Sequence, residues 1–122
     1  MILLGLLLGG FVGGVLRYLL SRLLPGSPGT FAANMLGCLA LGLTMGFLHL
    51  TPTASADLVY ATAAAGLAGG LSTWSTLTRE LGDMLKAKRY RDFCVYLLAS
   101  VAIGIIFAAR GVVWAARIYN GL

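Results

Sequence analysis

Residues 66–80, Gly-Leu-Ala-Gly-Gly-Leu-Ser-Thr-Trp-Ser-Thr-Leu-Thr-Arg-Glu, constrain the fold more than any other stretch of this chain. An apolar segment is interrupted by the pair Gly69 and Gly70 and then by five hydroxyls in seven residues, Ser72, Thr73, Ser75, Thr76 and Thr78. A helix facing lipid has no use for that combination. In hydrocarbon each unpaired N–H or C=O costs roughly several kcal/mol, so non-helical backbone is tolerated only where it is packed in protein or lines a wet cavity. The expectation is a transmembrane helix broken at 69–73, whose freed carbonyls and hydroxyls face an ion or water. Gly69 and Gly70 taken alone fit a helix-packing face as well, because small residues let neighbouring helices approach closely. The hydroxyl run is what favours a break.

Composition places this stretch in a membrane. The chain has 122 residues, 59% of them hydrophobic and only 11% charged, with a mean hydropathy of +0.90; soluble domains carry roughly 25% charged residues. A span needs about 20 residues, so residues 1–122 read as one transmembrane domain with helices at about 2–20, 30–50, 57–86 and 92–113. The expected class is an all-α membrane protein of four transmembrane helices, the third broken mid-membrane. The net charge of +5 sits at segment ends without interleaved aromatics, so it reads as topology signals and headgroup contacts and not as a nucleic-acid surface. Cys38 and Cys94 lie in apolar runs, outside any Cys/His cluster, and read as small buried thiols. Met1 leads into apolar residues with no basic n-region, so no cleaved signal is expected.

Along the first segment, Gly5, Gly9 and Gly13, with Gly10 and Gly14 beside them, recur at spacings of four. They predict a close-packing helix face; a GGxxGG match without a preceding strand is weak support for a phosphate loop. Arg17 and Tyr18 close the segment, either as a snorkelling cation and belt aromatic or as a cation near a pore mouth. Residues 25–29 predict a short Pro/Gly loop and Thr30 a helix N-cap. Asn34, one turn further on, is a carboxamide that must find a partner in hydrocarbon: a neighbouring helix, or a permeating ion for which its NH₂ supplies two donors. His49 falls at a helix end, and Asp57 is expected to cap the third segment. Arg79 and Glu80 lie near the water boundary, as a surface pair or as groups shaping the field of an aqueous vestibule. Tyr96, Ser100 and Gly104, four apart, form one polar strip on the fourth segment. Trp114, Arg117 and Tyr119 read as an interfacial anchor, with 120–122 fraying.

These residues resemble the Fluc (CrcB) family of fluoride channels over essentially the whole chain. The likeness is carried by Gly10-Phe11-Val12-Gly13-Gly14-Val15-Leu16-Arg17-Tyr18, by Gly29-Thr30-Phe31-Ala32-Ala33-Asn34-Met35-Leu36-Gly37, and most specifically by Gly69-Gly70-Leu71-Ser72-Thr73-Trp74-Ser75-Thr76-Leu77. The resemblance implies an antiparallel, dual-topology dimer with two narrow pores and a structural sodium ion at its centre. It implies that the carbonyls of Gly69 and Ser72 hold the sodium, and that Asn34, Ser75 or Thr76, Tyr96 and Ser100 line the fluoride path. Glu80 falls on the vestibular carboxylate, with Arg17 beside it. The family's two pore phenylalanines, whose electropositive edges face the anion, are replaced here by Trp74 and Leu77.

The function expected is passive, fluoride-selective export across the plasma membrane by a multi-pass channel, with membrane lipids as its surroundings. Positive charge gathers on one face, at Arg22, Arg79, Lys86, Lys88, Arg89 and Arg91, against Arg117 on the other. That bias predicts a mainly N-out, C-out orientation and leaves open a homodimer or a half-active member of a heterodimer of opposite orientation. A small multidrug-type exporter is the other alternative; it would need an intramembrane acid, which the first segment lacks. A non-transporting assembly subunit would need the glycine faces alone. No nucleophile, base and orienting group recur together, so an enzyme is not expected.

Overall fold

A computed structural model of the chain describes residues 1–51 and 54–121. All regular structure among the described residues is helical. Helix α1 spans Ile2–Leu23, α2 Ser27–Leu50 and α3 Ala56–Val59; α3 passes without a turn into a π-helical segment, Tyr60–Ala68, and then into α4, Gly69–Leu71. After Ser72 and Thr73 come α5, Trp74–Lys86, and α6, Tyr90–Tyr119. Helices α1, α2 and α6 are long and apolar enough to cross a membrane, with mean hydropathies of 1.9, 1.7 and 2.2 over their best windows. The third expected crossing, 57–86, is made of the shorter pieces α3 to α5.

The helix ends differ from the sequence expectation in physically simple ways. Helix α2 starts three residues before Thr30, because Pro28 falls in its first turn, where a missing N–H is not needed and φ is already helical. Gly26, at φ 80°, turns the chain into it. Thr30 is therefore inside the helix and does not cap it. Likewise α3 begins at Ala56, so Asp57 sits in the first turn, where its carboxylate meets the positive helix end. Helix α6 runs on to Tyr119, since neither Arg110 nor Arg117 breaks a helix and the next residue with positive φ is Gly121. Pro52 and Thr53 of the expected second loop, and Leu122 of the expected frayed end, lie outside the described residues. Cys94 is exposed on the single chain, whereas Cys38 is half-buried; only the latter behaves as a packed thiol.

Packing rests on backbone approach. Helices α2 and α6 share the largest contact, and α1 lies along the π-helical segment. A Cβ on Gly9 would collide with the Thr62 carbonyl, and one on Gly13 with the Leu67 carbonyl. On the other side, a Cβ on Gly111 would stand 2.7 Å from Leu39 O, and one on Gly46 2.7 Å from Ala115 Cβ. The core is accordingly built of small residues, including Ala33, Ala61, Ala64, Ala68 and Ala115, while Phe11, Leu98 and Ile105 point outward. That is the arrangement expected where lipid is the solvent and association depends on close contact and not on expelling water. The glycine spacing in α1 foretold this face. The exposed Arg89–Asp92 ion pair, 2.8 Å, closes the turn into α6 and adds little to stability at such exposure.

Candidate functional site

Between Ala56 and Lys86 the backbone leaves the helix at Ser72 (φ −81°, ψ 158°) and Thr73 (φ −148°, ψ 122°); Gly69 to Leu71, included in the expected interruption, are helical. Ser72 still closes the preceding turn, its N–H and hydroxyl both donating to Ala68 O, at 3.0 and 2.8 Å. Thr73 does not. Its N–H donates to Asn34 Oδ1 at 2.5 Å instead of to the Gly69 carbonyl four residues back. Its own Oγ1 accepts the Thr76 N–H at 3.2 Å, the usual service of a threonine at a helix start. Two helices thus meet at one amide: α2 supplies Asn34, and the extended pair before α5 supplies the donor.

That contact orients Asn34. A backbone N–H can only be met by the carbonyl end of a carboxamide, so the NH₂ end is turned away from Thr73 with both of its donors unspent. It stands at a cleft of about 380 Å³ shared with Thr73, Trp74, Leu77 and Ser100. The Ser100 hydroxyl is buried and without a hydrogen-bond partner among the described residues, an unusual state for a buried polar group. Trp74 is 69% exposed at the cleft edge, whereas Leu77 is 3% exposed and packs within the chain.

Other expected residues lie elsewhere. Thr76 faces a second cleft, about 320 Å³, with Arg17, Thr30 and Arg79; Thr73 lines both clefts. Ser75 is exposed and touches Thr73 Oγ1 at 3.4 Å. Glu80 bridges two helices, accepting from Thr30 Oγ1 at 2.9 Å and from Tyr96 OH at 2.7 Å. Tyr96 is thereby tied to Glu80, one turn from Ser100 on the same face of α6. Glu80 and Arg79 also line a wide opening of about 460 Å³ with Ser27 and Arg89. Gly69 and Ser72 border a fourth cleft, about 150 Å³, beside Gly37 and Cys38.

Two lining residues escaped the sequence reading. Thr30 and Cys38 flank Asn34 at i−4 and i+4, one strip of α2, and that spacing was the available signal. Thr30 holds Glu80, and Cys38 lies between the cleft at Asn34 and the one beside Gly69.

Long apolar helices with polar groups gathered at interior clefts define a multi-pass membrane protein. Residues 4–112 match the family model described as CrcB-like protein, Camphor Resistance (CrcB). A Methanopyrus kandleri protein named fluoride-specific ion channel FluC is 42% identical over 123 residues, covering 90% of this chain and 89% of its own length. A Corynebacterium diphtheriae protein, fluoride-specific ion channel FluC 2, is 38% identical over 101 residues (83% and 88%), and the Phocaeicola vulgatus FluC is 37% identical over 117 (90% and 94%). The chain belongs to the CrcB family, a family of ion channels and not of enzymes.

Proposed function

We propose that this chain is a subunit of a fluoride-selective channel that lets fluoride leave the cell passively across the plasma membrane, and that Asn34 reads the anion. The observation that carries this reading is the Asn34 carboxamide, pinned by Thr73 so that its NH₂ donors remain for the cleft. Fluoride is small and tightly hydrated, so a path through low dielectric must replace its water with donors already in place. The Asn34 amide, the unpartnered Ser100 hydroxyl and the ring edge of Trp74 are such donors, the last because an aromatic ring is positive at its rim. Arg17 and Arg79 at the neighbouring cleft raise the local potential for an anion. Ser75, Thr76 and Tyr96 complete the path. A fluoride-electrode efflux assay on vesicles, with chloride as control, tests the reading: Asn34→Ala must suppress efflux, and unchanged efflux removes Asn34 from it.

In this reading the extended pair Ser72–Thr73 lies near mid-bilayer, and two chains of opposite orientation pair across it. The donors present suit a sodium ion. The Gly69 carbonyl faces no Thr73 N–H, and Ser72 carries its carbonyl out of the helical ladder; both are hard oxygens of the kind unwound helices offer to Na⁺. Two carbonyls are too few for a full shell, so a second copy must bring its own pair. Bound there, sodium would supply a positive charge holding the two copies together.

Burial of Leu77 supports a second reading. With Leu77 packed inside the chain and Trp74 exposed as the one aromatic of the two positions, the chain fits a half-active member of an unlike pair. Vesicles containing this chain alone separate the two: efflux makes it a homodimer, and efflux only on adding a second subunit makes it half of a heterodimer.

A further inference from the structure

The charged end of α6 is unused by the pathway above. Helix α6 has 30 residues, about 45 Å at 1.5 Å per residue, against a hydrocarbon thickness of about 30 Å. With Arg91 and Asp92 in one headgroup layer, Arg110 lies nineteen residues further, about 28 Å away. The last turns, Arg110 to Tyr119, then stand in the opposite headgroup layer. Gly111 and Ala115 bury against α2 there, which turns Arg110, Trp114 and Arg117, at i, i+4 and i+7, outward on one face, all exposed.

Neither arginine makes an ion pair among the described residues. Three of the four carboxylates, Glu80, Asp83 and Asp92, belong to the far end of the bundle. The fourth, Asp57, is in α3, which packs on α1 and the π-helical segment, whereas α6 packs on α2 and α5. Two guanidinium groups and an indole N–H are left facing lipid at headgroup depth.

We propose that Arg110, Trp114 and Arg117 form a binding site for the phosphate of an anionic phospholipid. The two guanidinium forks hold phosphate oxygens, the indole sits at the level where aromatic belts form, and the exposed Ile106, one turn nearer the bilayer centre, receives the acyl chains.

The full chain is purified in neutral detergent, mixed with equal phosphatidylglycerol and phosphatidylcholine, and its retained lipid is read by native mass spectrometry. Phosphatidylglycerol is expected in excess. The double variant R110Q/R117Q should lower that preference by about fivefold per arginine, while R110K/R117K should keep most of it. An undiminished preference in the glutamine variant overturns the site. So does competition by millimolar inorganic phosphate, which would mark a free-anion site, or loss of the oligomer in the glutamine variant in neutral micelles, which would assign the arginines to a protein partner. If the double variant fails to fold, the single substitutions carry the same test.

Discussion

At the scale of single residues, the proposed pathway gives Asn34 a second duty beside holding Thr73, and one pair of substitutions separates the two. Asn34→Ala leaves the Thr73 N–H without its acceptor and should cost about 1–3 kcal/mol, read as a lower melting temperature, together with loss of efflux. Asn34→Asp keeps an oxygen for Thr73 but replaces the NH₂ donors with a second acceptor; it should retain the fold and abolish fluoride efflux. Equal loss of stability in both variants would mean that Thr73 does not depend on that oxygen. Ser100→Ala removes a buried hydroxyl that has no partner, so the protein should melt at the same or a higher temperature while efflux falls; a large destabilisation would reveal a hidden partner. The sequence made Asn34 and Ser100 legible because a polar group in an apolar span must be explained. It left Thr30 misread, because a threonine just after a Pro/Gly loop has the look of a cap, and only the fold shows Glu80 above it. Arg110 was passed over because it stands inside an apolar run, and exposure, which sequence does not give, is what distinguishes it.

At the scale of elements, glycine spacing announced the α1 face, and the structure supplies the partner it faces, a π-helical stretch that no periodicity argument foretold. A helix with wider hydrogen-bond rings has the same apolar content as an α-helix, so composition is silent on it. Gly9→Leu and Gly111→Leu each place side-chain atoms where backbone atoms stand. Each should destabilise by more than the roughly 1–3 kcal/mol typical of overpacking, seen as aggregation or early melting in micelles. Gly14→Leu, with nothing within 4 Å of its Cβ, is the control on the same helix and should be tolerated by the single chain. The ends of α2 and α6 were misjudged for one reason: apolarity marks where lipid ends, whereas a helix stops only where its backbone is made to turn.

At the scale of the whole molecule, Trp74 and many large apolar side chains stand outward; in the proposed dimer, lipid and a second copy divide them. If Gly69 and Ser72 hold sodium between two copies, the assembly should melt at a higher temperature in sodium than in an organic-cation salt of equal ionic strength, since a ligand bound only by the folded assembly stabilises it. Identical melting curves would remove the ion from the interface. The overall class, an all-helical multi-pass membrane protein, followed from length and hydropathy alone, with three helices among the described residues long and apolar enough to cross; the split of the hydroxyls between two clefts did not, because it depends on where the extended pair rotates α5. The clamp between Asn34 and Thr73 also bears on how such a chain evolves. One carboxamide holds the bend in the main chain and, in the proposed reading, also presents the selectivity donors; drift at position 34 is then tried twice over, and a relative that recognises another anion must first find a different way to hold its bend.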